Sequence, residues 1–422
     1  MPNLLTDVTG AVIQIFFAIP LFWILAKRLG VSRLPVAIVA GVAAPFGLLL
    51  YLPISPIFVE SDATYYQEWG VAIANSWSGS PSELAQKQIW PGKGIWPLII
   101  AVFYSAIGPS PVSLIIFNTL LLSLMVLLLQ KAVLVLTSTA DKWVTPGFVV
   151  TAVPFMTFGP SILRESFFWV GIGAITLGFC YLHKGRQYLG AANVAWGSVL
   201  VLAIRPDAGL LIVFVAIALF VITTGILVPR VHWAKRFVAI VVLFGLIFSF
   251  SPLFKLVRPG TSAESVSRIA DALQRAENTS AFKSITDQTI PDTLADKNRC
   301  EGGLYSRLAC QSIQNLPRAF LGPFPWEFRV QPVLIAAALS TFHFILTLGF
   351  SFKYLAARGS KSWALLSLLA LAGACLLLFS GVMTNYGILI RFRAAVEILL
   401  SPFAVGGILR ISGGRKKQSK PR

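Results

Sequence analysis

The chain has 422 residues, of which 56% are hydrophobic and only 12% are charged, and its formal net charge is +18. The charged fraction is about half of the roughly 25% that is typical of globular proteins, and the mean hydropathy of +0.76 is high. This composition excludes a disordered chain, a secreted disulfide scaffold and an ordinary soluble enzyme, and it predicts a polytopic membrane protein.

Long apolar runs predict the membrane helices, since a span needs about 17–25 such residues. In chain order, eleven runs meet this criterion: 8–26, 34–52, 111–130, 144–160, 166–182, 188–204, 208–228, 237–254, 331–352, 362–380 and 394–410. The shorter run 95–107 is interpreted as an interfacial or re-entrant helix. The sequence therefore predicts an all-α polytopic transmembrane bundle of about eleven spans, with interfacial juxtamembrane helices and two large extracytoplasmic loops.

The basic residues predict how the bundle is oriented. If the N-terminus lies outside, the inner loops and the C-terminal tail hold 19 of the 35 Lys and Arg residues and a single acid, Asp141. Basic residues concentrate on the cytoplasmic side of membrane proteins. The charge of +18 therefore indicates orientation, and nucleic acid is not an expected partner. The predicted location is the bacterial cytoplasmic (inner) membrane, with a cytoplasmic C-terminus and an extracytoplasmic active site.

The predicted spans and loops divide the chain into six parts. They are 1–52, two N-terminal transmembrane helices; 53–110, an extracytoplasmic loop with an acidic motif and a juxtamembrane helix; 111–254, a transmembrane core; 255–330, a second extracytoplasmic loop region; 331–411, the C-terminal transmembrane helices; and 412–422, a basic cytoplasmic tail. The tail is expected to contact anionic membrane lipid.

Ionisable residues at the ends of the spans are the main functional candidates, because charges at membrane depth are costly. The predicted topology brings four clusters to the outer face: Glu60 with Asp62, Arg164 with Glu165, Arg205 with Asp207, and Arg391 with Arg393 and Glu397. These clusters are far apart in sequence, so their shared position favours one common site.

Each cluster also has a structural interpretation. Arg393 and Glu397 are four residues apart and can pair along one helix face. Arg205 and Asp207 can cap a tight turn, and Arg164 can anchor a helix at the interface. The acids of the first outer loop can simply be solvated.

The functional interpretation combines the acids with the arginines. Transfer of a sugar from a lipid phosphate needs a base for the acceptor hydroxyl and cations for the leaving phosphate. Arginine suits phosphate because its guanidinium group stays charged and binds two oxygens. Asp62 shares a predicted helix face with Tyr65, Tyr66 and Trp69, whose rings can stack on a sugar or form an interfacial belt. The same two interpretations apply to Trp326 in the segment GPFPWEF.

The remaining chemistry-bearing residues are few. Cys300 and Cys310 lie in the second outer loop and can form a disulfide or remain free thiols, while Cys180 and Cys375 lie within spans and are expected to pack there. The three histidines lack metal-ligand spacing, and no P-loop, dinucleotide fingerprint or nucleophile elbow occurs.

Several motifs resemble the GT-C superfamily of membrane glycosyltransferases, which use polyprenyl-phosphate-linked sugars. They are ESDATYY (60–66), PGKGIWPLIIAVFYSAIGPSPVSLIIFN (91–118), LRES (163–166), AIRPDAG (203–209), GPFPWEF (322–328) and NYGILIRFR (385–393). The last two are similar to bacterial surface-polysaccharide members. The resemblance covers most of the chain and implies a helical bundle with an outward cavity and a glycan or lipid acceptor.

The resemblance also implies roles for particular residues. Asp62 matches the catalytic acid of the first outer loop, with Glu60 beside it. Glu165, and by placement Asp207, match a second acidic position. The residues that would hold the lipid phosphate are Arg164, Arg205, Arg391 and Arg393.

The chain departs from the family pattern in three ways. Its acidic loop follows the second span, Ser61 separates the paired acids, and no large soluble C-terminal domain follows. These departures leave the need for a divalent metal open, and they argue against an oligosaccharyltransferase. An alternative is a polysaccharide polymerase or ligase that uses a lipid-diphosphate-linked oligosaccharide. A transporter is a further alternative, although the sequence shows neither paired broken helices nor inverted halves.

Overall fold

The computed structural model describes residues 4–51, 61–79, 95–139, 141–227, 304–323, 332–358, 363–381 and 386–418. All regular structure in these ranges is α-helical. The helices are α1 (Leu4–Leu29), α2 (Leu34–Tyr51), α3 (Ser61–Trp77), α4 (Trp96–Ile107), α5 (Pro111–Thr137), α6 (Val144–Thr151), α7 (Val153–Thr157), α8 (Glu165–His183), α9 (Gln187–Ile204), α10 (Pro206–Leu227), α11 (Leu304–Leu321), α12 (Pro332–Arg358), α13 (Trp363–Gly381) and α14 (Tyr386–Gln418).

Six helices in the described part of the chain are long and apolar enough to cross a membrane. These stretches are Thr9–Leu29, Pro111–Thr137, Glu165–His183, Gln187–Ile204, Ile335–Ala357 and Leu389–Ile411. The prediction of an all-α protein with membrane-spanning helices is therefore confirmed at this level. The count of eleven spans stays a prediction, and the predicted span 237–254 lies outside the described residues.

Contacts between α1 and α5 show that these two helices run in the same direction. Ser110, the N-cap of α5, donates a 2.5 Å hydrogen bond from its hydroxyl to Asp7 near the start of α1. Near the other end of α5, the Lys131 ammonium group donates to the carbonyl of Leu29, the last residue of α1. The first and the fifth helices thus have their N-termini at the same end of the bundle, as the predicted alternation requires.

The predicted span 144–160 is not one continuous helix. Its residues form the short helices α6 and α7, and Ala152 between them is extended, with φ −81° and ψ 105°. Pro154 accounts for the break, because proline lacks an amide hydrogen and its ring clashes with the preceding turn. The amide of Ala152 bonds the carbonyl of Val149 at 3.2 Å, so it does not continue the α-helical pattern back to Phe148.

Glycines allow α8 and α9 to pack with their backbones close together. A methyl group on Gly171 would lie 2.9 Å from the carbonyl oxygen of Gly197, and one on Gly178 would lie 2.9 Å from that of Gly190. Small residues at such positions let membrane helices approach closely. This contact sets the first residue of α8 beside the end of α9, where the candidate site is found.

We expect Gly197→Ala to destabilise the protein by about 1–3 kcal/mol, because the new methyl group would overlap the Gly171 carbonyl and force the backbones apart. The measurement is thermal unfolding of the purified protein in detergent. Gly373→Ala is the matched control, since a methyl group there meets nothing within 4 Å. Equal unfolding temperatures for the two variants would contradict the close packing.

Candidate functional site

The predicted outer-face residues Glu165, Arg205 and Arg391 meet in one buried cluster. Glu165 is the first residue of α8, Arg205 directly follows α9, and Arg391 lies in the second turn of α14. Arg205 donates from Nη2 to Glu165 Oε1, and Nη1 of Arg391 lies 3.4 Å from the same oxygen. The three side chains therefore come from three helices and share one carboxylate oxygen.

Arg164 adds a third positive charge to this cluster. Its Nη1 donates a 3.1 Å hydrogen bond to the carbonyl of Ile204, the last residue of α9. Its charge acts on Glu165 together with the charges of Arg205 and Arg391. We call these four residues the arginine cluster. With three guanidinium groups and one carboxylate, these four side chains carry more positive than negative charge, which favours an anion.

The cluster is shielded from water and retains unused hydrogen-bonding capacity. Glu165 is only 2% exposed. Its Oε2 atom and the Nε atom of Arg205 are buried and have no hydrogen-bond partner among the described residues. Buried polar atoms without partners are costly. An incoming phosphate could accept a hydrogen bond from the Arg205 Nε atom.

Aromatic rings surround the guanidinium groups and lower the local dielectric constant. The guanidinium carbon of Arg205 lies 5.7 Å from the ring centroid of Phe168 and 5.4 Å from that of Phe392. That of Arg391 lies 5.1 Å from the ring of Phe158. Cation–π contacts at such distances stabilise a buried positive charge, so the charges are maintained where a phosphate would need them.

Arg393 lies outside the arginine cluster, and its guanidinium group is already occupied. It is 0% exposed and donates to the carbonyl oxygens of Arg318 (2.9 Å), Ala319 (2.8 Å) and Gly322 (2.7 Å), and to the Thr341 hydroxyl (2.5 Å). Three of these acceptors belong to the last turn of α11 and the residue after it. Arg393 therefore caps the C-terminus of α11 and ties it to α12.

Glu397 pairs with a residue that the sequence did not single out. Its Oε1 atom lies 3.0 Å from Nδ1 of His343 on α12, which differs from the pairing with Arg393 that the spacing along α14 allowed. The sequence placed His343 within a span but gave no partner for it. The available signal was that two ionisable residues lie deep within predicted spans, where each needs a partner.

The structure describes only part of the predicted acidic and aromatic motif. Glu60 lies outside the described residues, while Asp62 is the second residue of α3 and its side chain is not described. Tyr65 is 38% exposed and its ring centroid lies 4.8 Å from that of Trp69. Tyr66 is 1% exposed, which makes Tyr65 the better placed of the two tyrosines to meet a sugar.

The helix that carries Asp62 is linked to the arginine cluster through α4. Helix α3 packs against α4. At the start of α4, the amide of Ile95 donates to the Ala203 carbonyl at 2.9 Å, and Nε1 of buried Trp96 donates to the Ile162 carbonyl at 3.4 Å. Ile162 and Ala203 immediately precede the segments that hold the cluster. Helix α3, which carries Asp62, is thus linked to the cluster through α4, and a place for Asp62 at the site stays a prediction.

Other predicted features lie wholly or partly outside the described residues. Trp326 and Cys300 lie outside the described residues, and the side chain of Asp207 at the start of α10 is not described. Cys310 is disulfide-bonded. The described residues contain no group of three His, Cys, Asp or Glu side chains arranged to hold a metal ion.

No protein-family model matches this chain, and no curated protein matches it either.

Proposed function

We propose that this protein is an integral-membrane glycosyltransferase that moves a sugar from a polyprenyl-phosphate donor to an extracytoplasmic glycan or lipid acceptor. The arginine cluster carries the proposal, because three buried guanidinium groups converge from separate parts of the chain with one acid between them. Buried charges are costly unless they are paired. Guanidinium groups that outnumber the carboxylate between them are well suited to a phosphate.

The charge of the cluster matches the charge that develops in the reaction. When the bond between the sugar's anomeric carbon and the phosphate oxygen breaks, a phosphodiester with one negative charge becomes polyprenyl phosphate with two. The arginines would therefore bind the departing phosphate more tightly than the donor, and such differential binding lowers the barrier. Glu165 would hold the guanidinium groups in position until the phosphate arrives.

Asp62 is proposed as the base. It would remove the proton from the acceptor hydroxyl while the hydroxyl oxygen bonds to the anomeric carbon. Glu60 beside it would assist, and exposed Tyr65 offers a ring for the sugar to stack on. No cofactor is required by this scheme, and a divalent metal would be an additional way to hold the phosphate. The proposed location is the outer face of a bacterial cytoplasmic membrane.

A polymerase or ligase acting on a lipid-diphosphate-linked oligosaccharide is the second candidate. The observation that favours it is that arginines, and not paired acids, dominate the described site. Its leaving group would be a lipid diphosphate with three negative charges, one more than the polyprenyl phosphate of the first candidate. Comparing mono- and diphosphate-linked donors in the same proteoliposomes separates the two candidates.

We expect Asp62→Asn to reduce sugar transfer by about 100- to 10,000-fold, because a positioned general base contributes about that much. The assay follows transfer of a radiolabelled sugar from a polyprenyl-phosphate donor in proteoliposomes. Glu68→Gln, an exposed acid on the same helix, is the matched control and should retain activity. Wild-type rates for Asp62→Asn would rule out Asp62 as the base.

A further inference from the structure

An ionisable pair lies deep within the helices, well away from their ends. His343 is the twelfth residue of α12 and Glu397 is the twelfth residue of α14. At a rise of about 1.5 Å per residue, each lies about 17 Å along its helix. Ionisable side chains at this depth are rare and usually functional. The proposed glycosyltransferase chemistry does not use them.

The hydrogen bonds of His343 determine where its protons lie. Nε2 is 3.1 Å from the carbonyl oxygen of Phe148, and Nδ1 is 3.0 Å from Oε1 of Glu397. A carbonyl oxygen can only accept, so Nε2 must carry a hydrogen. Nδ1 and Oε1 both have lone pairs, so a second proton must lie between them. Whether that proton belongs to the ring or to the carboxyl group, the pair has no net charge.

Burial makes this one-proton state the most favourable one. Glu397 is 0% exposed, and its Oε2 atom has no hydrogen-bond partner among the described residues. Loss of the shared proton would leave a negative charge that faces the lone pair of Nδ1. Gain of another proton would leave a buried positive charge. Both states are costly in a low-dielectric interior.

The neighbouring helices offer little else to titrate near the pair. Helices α6 and α7 contain no titratable side chain. The other charged and titratable groups on the packed helices are Tyr386, Arg391, Arg393, Arg410, Arg415, Lys416 and Lys417 on α14, Lys353, Tyr354 and Arg358 on α12, Cys375 on α13, Lys131 on α5, and Glu165, Cys180, Tyr181 and His183 on α8. Of these, only Arg393 is within one turn of Glu397 along its own helix, and it is bound by four oxygen acceptors.

The pair also contacts the break between α6 and α7. In a continuous helix the Phe148 carbonyl would accept from the amide of Ala152, but that amide bonds Val149 instead. The Phe148 carbonyl accepts from His343 Nε2 and, at 3.2 Å, from the Thr151 hydroxyl. Backbone groups released by a break inside a membrane need such substitutes. His343 therefore connects α12 to the break through Phe148, and it connects α12 to α14 through the proton shared with Glu397.

We propose that His343 and Glu397 form a proton-binding site within the bundle, where one proton between Nδ1 and Oε1 holds α12 and α14 together at the break between α6 and α7. The ligand of this site is the proton itself. The proton is bound in the folded protein and is released as the pH rises. The stability that the pair contributes therefore belongs to the one-proton state near neutral pH, and it is lost at alkaline pH when the shared proton leaves.

Nitrogen-15 NMR of labelled histidine tests the protonation state directly. The chain has three histidines, so the double variant His183→Gln/His232→Gln reports His343 alone in otherwise intact protein. We expect a protonated Nε2 at every pH at which the protein stays folded, and a hydrogen-bonded proton at Nδ1 that disappears only at alkaline pH. A bare Nε2, or a Nδ1 without a shared proton at neutral pH, would overturn the proposal.

Thermal unfolding as a function of pH tests the consequence. Glu397→Gln mimics the protonated carboxyl group, since its amide can donate to Nδ1 without a titrating proton. We expect the alkaline loss of stability to be absent in Glu397→Gln and unchanged in Glu68→Gln. An unchanged alkaline loss of stability in Glu397→Gln would count against the site. An unfolding midpoint of the wild-type protein that changes with sodium concentration at fixed pH would also count against it. If Glu397→Gln does not fold, the NMR result decides alone.

Discussion

Arg205→Ala is expected to lower kcat/KM for sugar transfer from a polyprenyl-phosphate donor by about 100- to 1,000-fold, the usual effect of removing one preorganised donor to a developing negative charge. The physical reason is that Arg205 contacts Glu165 directly and has a buried Nε atom without a hydrogen-bond partner among the described residues. The loss should appear mainly in kcat, because the extra charge develops only as the phosphate departs.

Two comparisons separate phosphate binding from simple loss of structure. Arg186→Ala is the matched control, since this exposed arginine flanks the opposite end of α9 and should leave transfer unchanged. Arg205→Lys should retain part of the activity, because it keeps the positive charge but loses the bidentate hydrogen bonding of a guanidinium group. If Arg205→Ala is as active as wild type while still folded, the arginine cluster does not bind the leaving phosphate.

Arg393→Ala is expected to destabilise the protein by about 3–5 kcal/mol, the range for breaking a buried, fully bonded charge interaction. The substitution would leave the carbonyl groups of Arg318, Ala319 and Gly322 without their donor and would release α11 from α14. The measurement is unfolding in detergent by heat or denaturant. Arg410→Ala, an exposed arginine on the same helix, should have little effect.

The same variant tests the role that the sequence suggested for Arg393. If it were a phosphate ligand, Arg393→Ala would lose activity but keep its stability. The structure predicts the opposite order, in which stability falls first and any loss of activity follows from misplacement of α11. Normal stability together with a large increase in KM for the lipid-phosphate donor would restore the sequence-based assignment.

The convergence of Glu165, Arg205 and Arg391 was predictable because topology alone places helix ends. Because successive spans run in opposite directions, the start of α8, the end of α9 and the start of α14 were predicted on one face. The basic loops identified that face as the outer one. The contact of Arg205 and Arg391 with a single oxygen of Glu165 was not predictable, since it depends on how α8, α9 and α14 pack.

The contacts of Arg393 and Glu397 show why spacing along one helix was insufficient to predict their partners. Four residues apart on α14, they satisfy the local rule for an ion pair. Each instead bonds to α12, Arg393 through Thr341 and Glu397 through His343. In an apolar environment a buried charge takes the partners that satisfy most of its hydrogen bonds, and these lie on another helix that the sequence does not place.

Pro154 favours a break near Ala152, but the prediction of one span over 144–160 followed the apolar composition of that segment. Proline is tolerated within membrane helices when other groups satisfy the released backbone. The satisfying group here is His343, 195 residues away from Phe148 in the chain. Composition therefore predicted a membrane span here, and only the packing showed that its helix is discontinuous.

A structure of the protein with polyprenyl phosphate bound tests the central claim most directly. We predict that the phosphate oxygens lie about 3 Å from the guanidinium nitrogens of Arg205 and Arg391, the distance of a charge-assisted hydrogen bond, and that Glu165 has released at least one of them. A phosphate bound elsewhere, with Glu165 still paired to both arginines, would contradict the account.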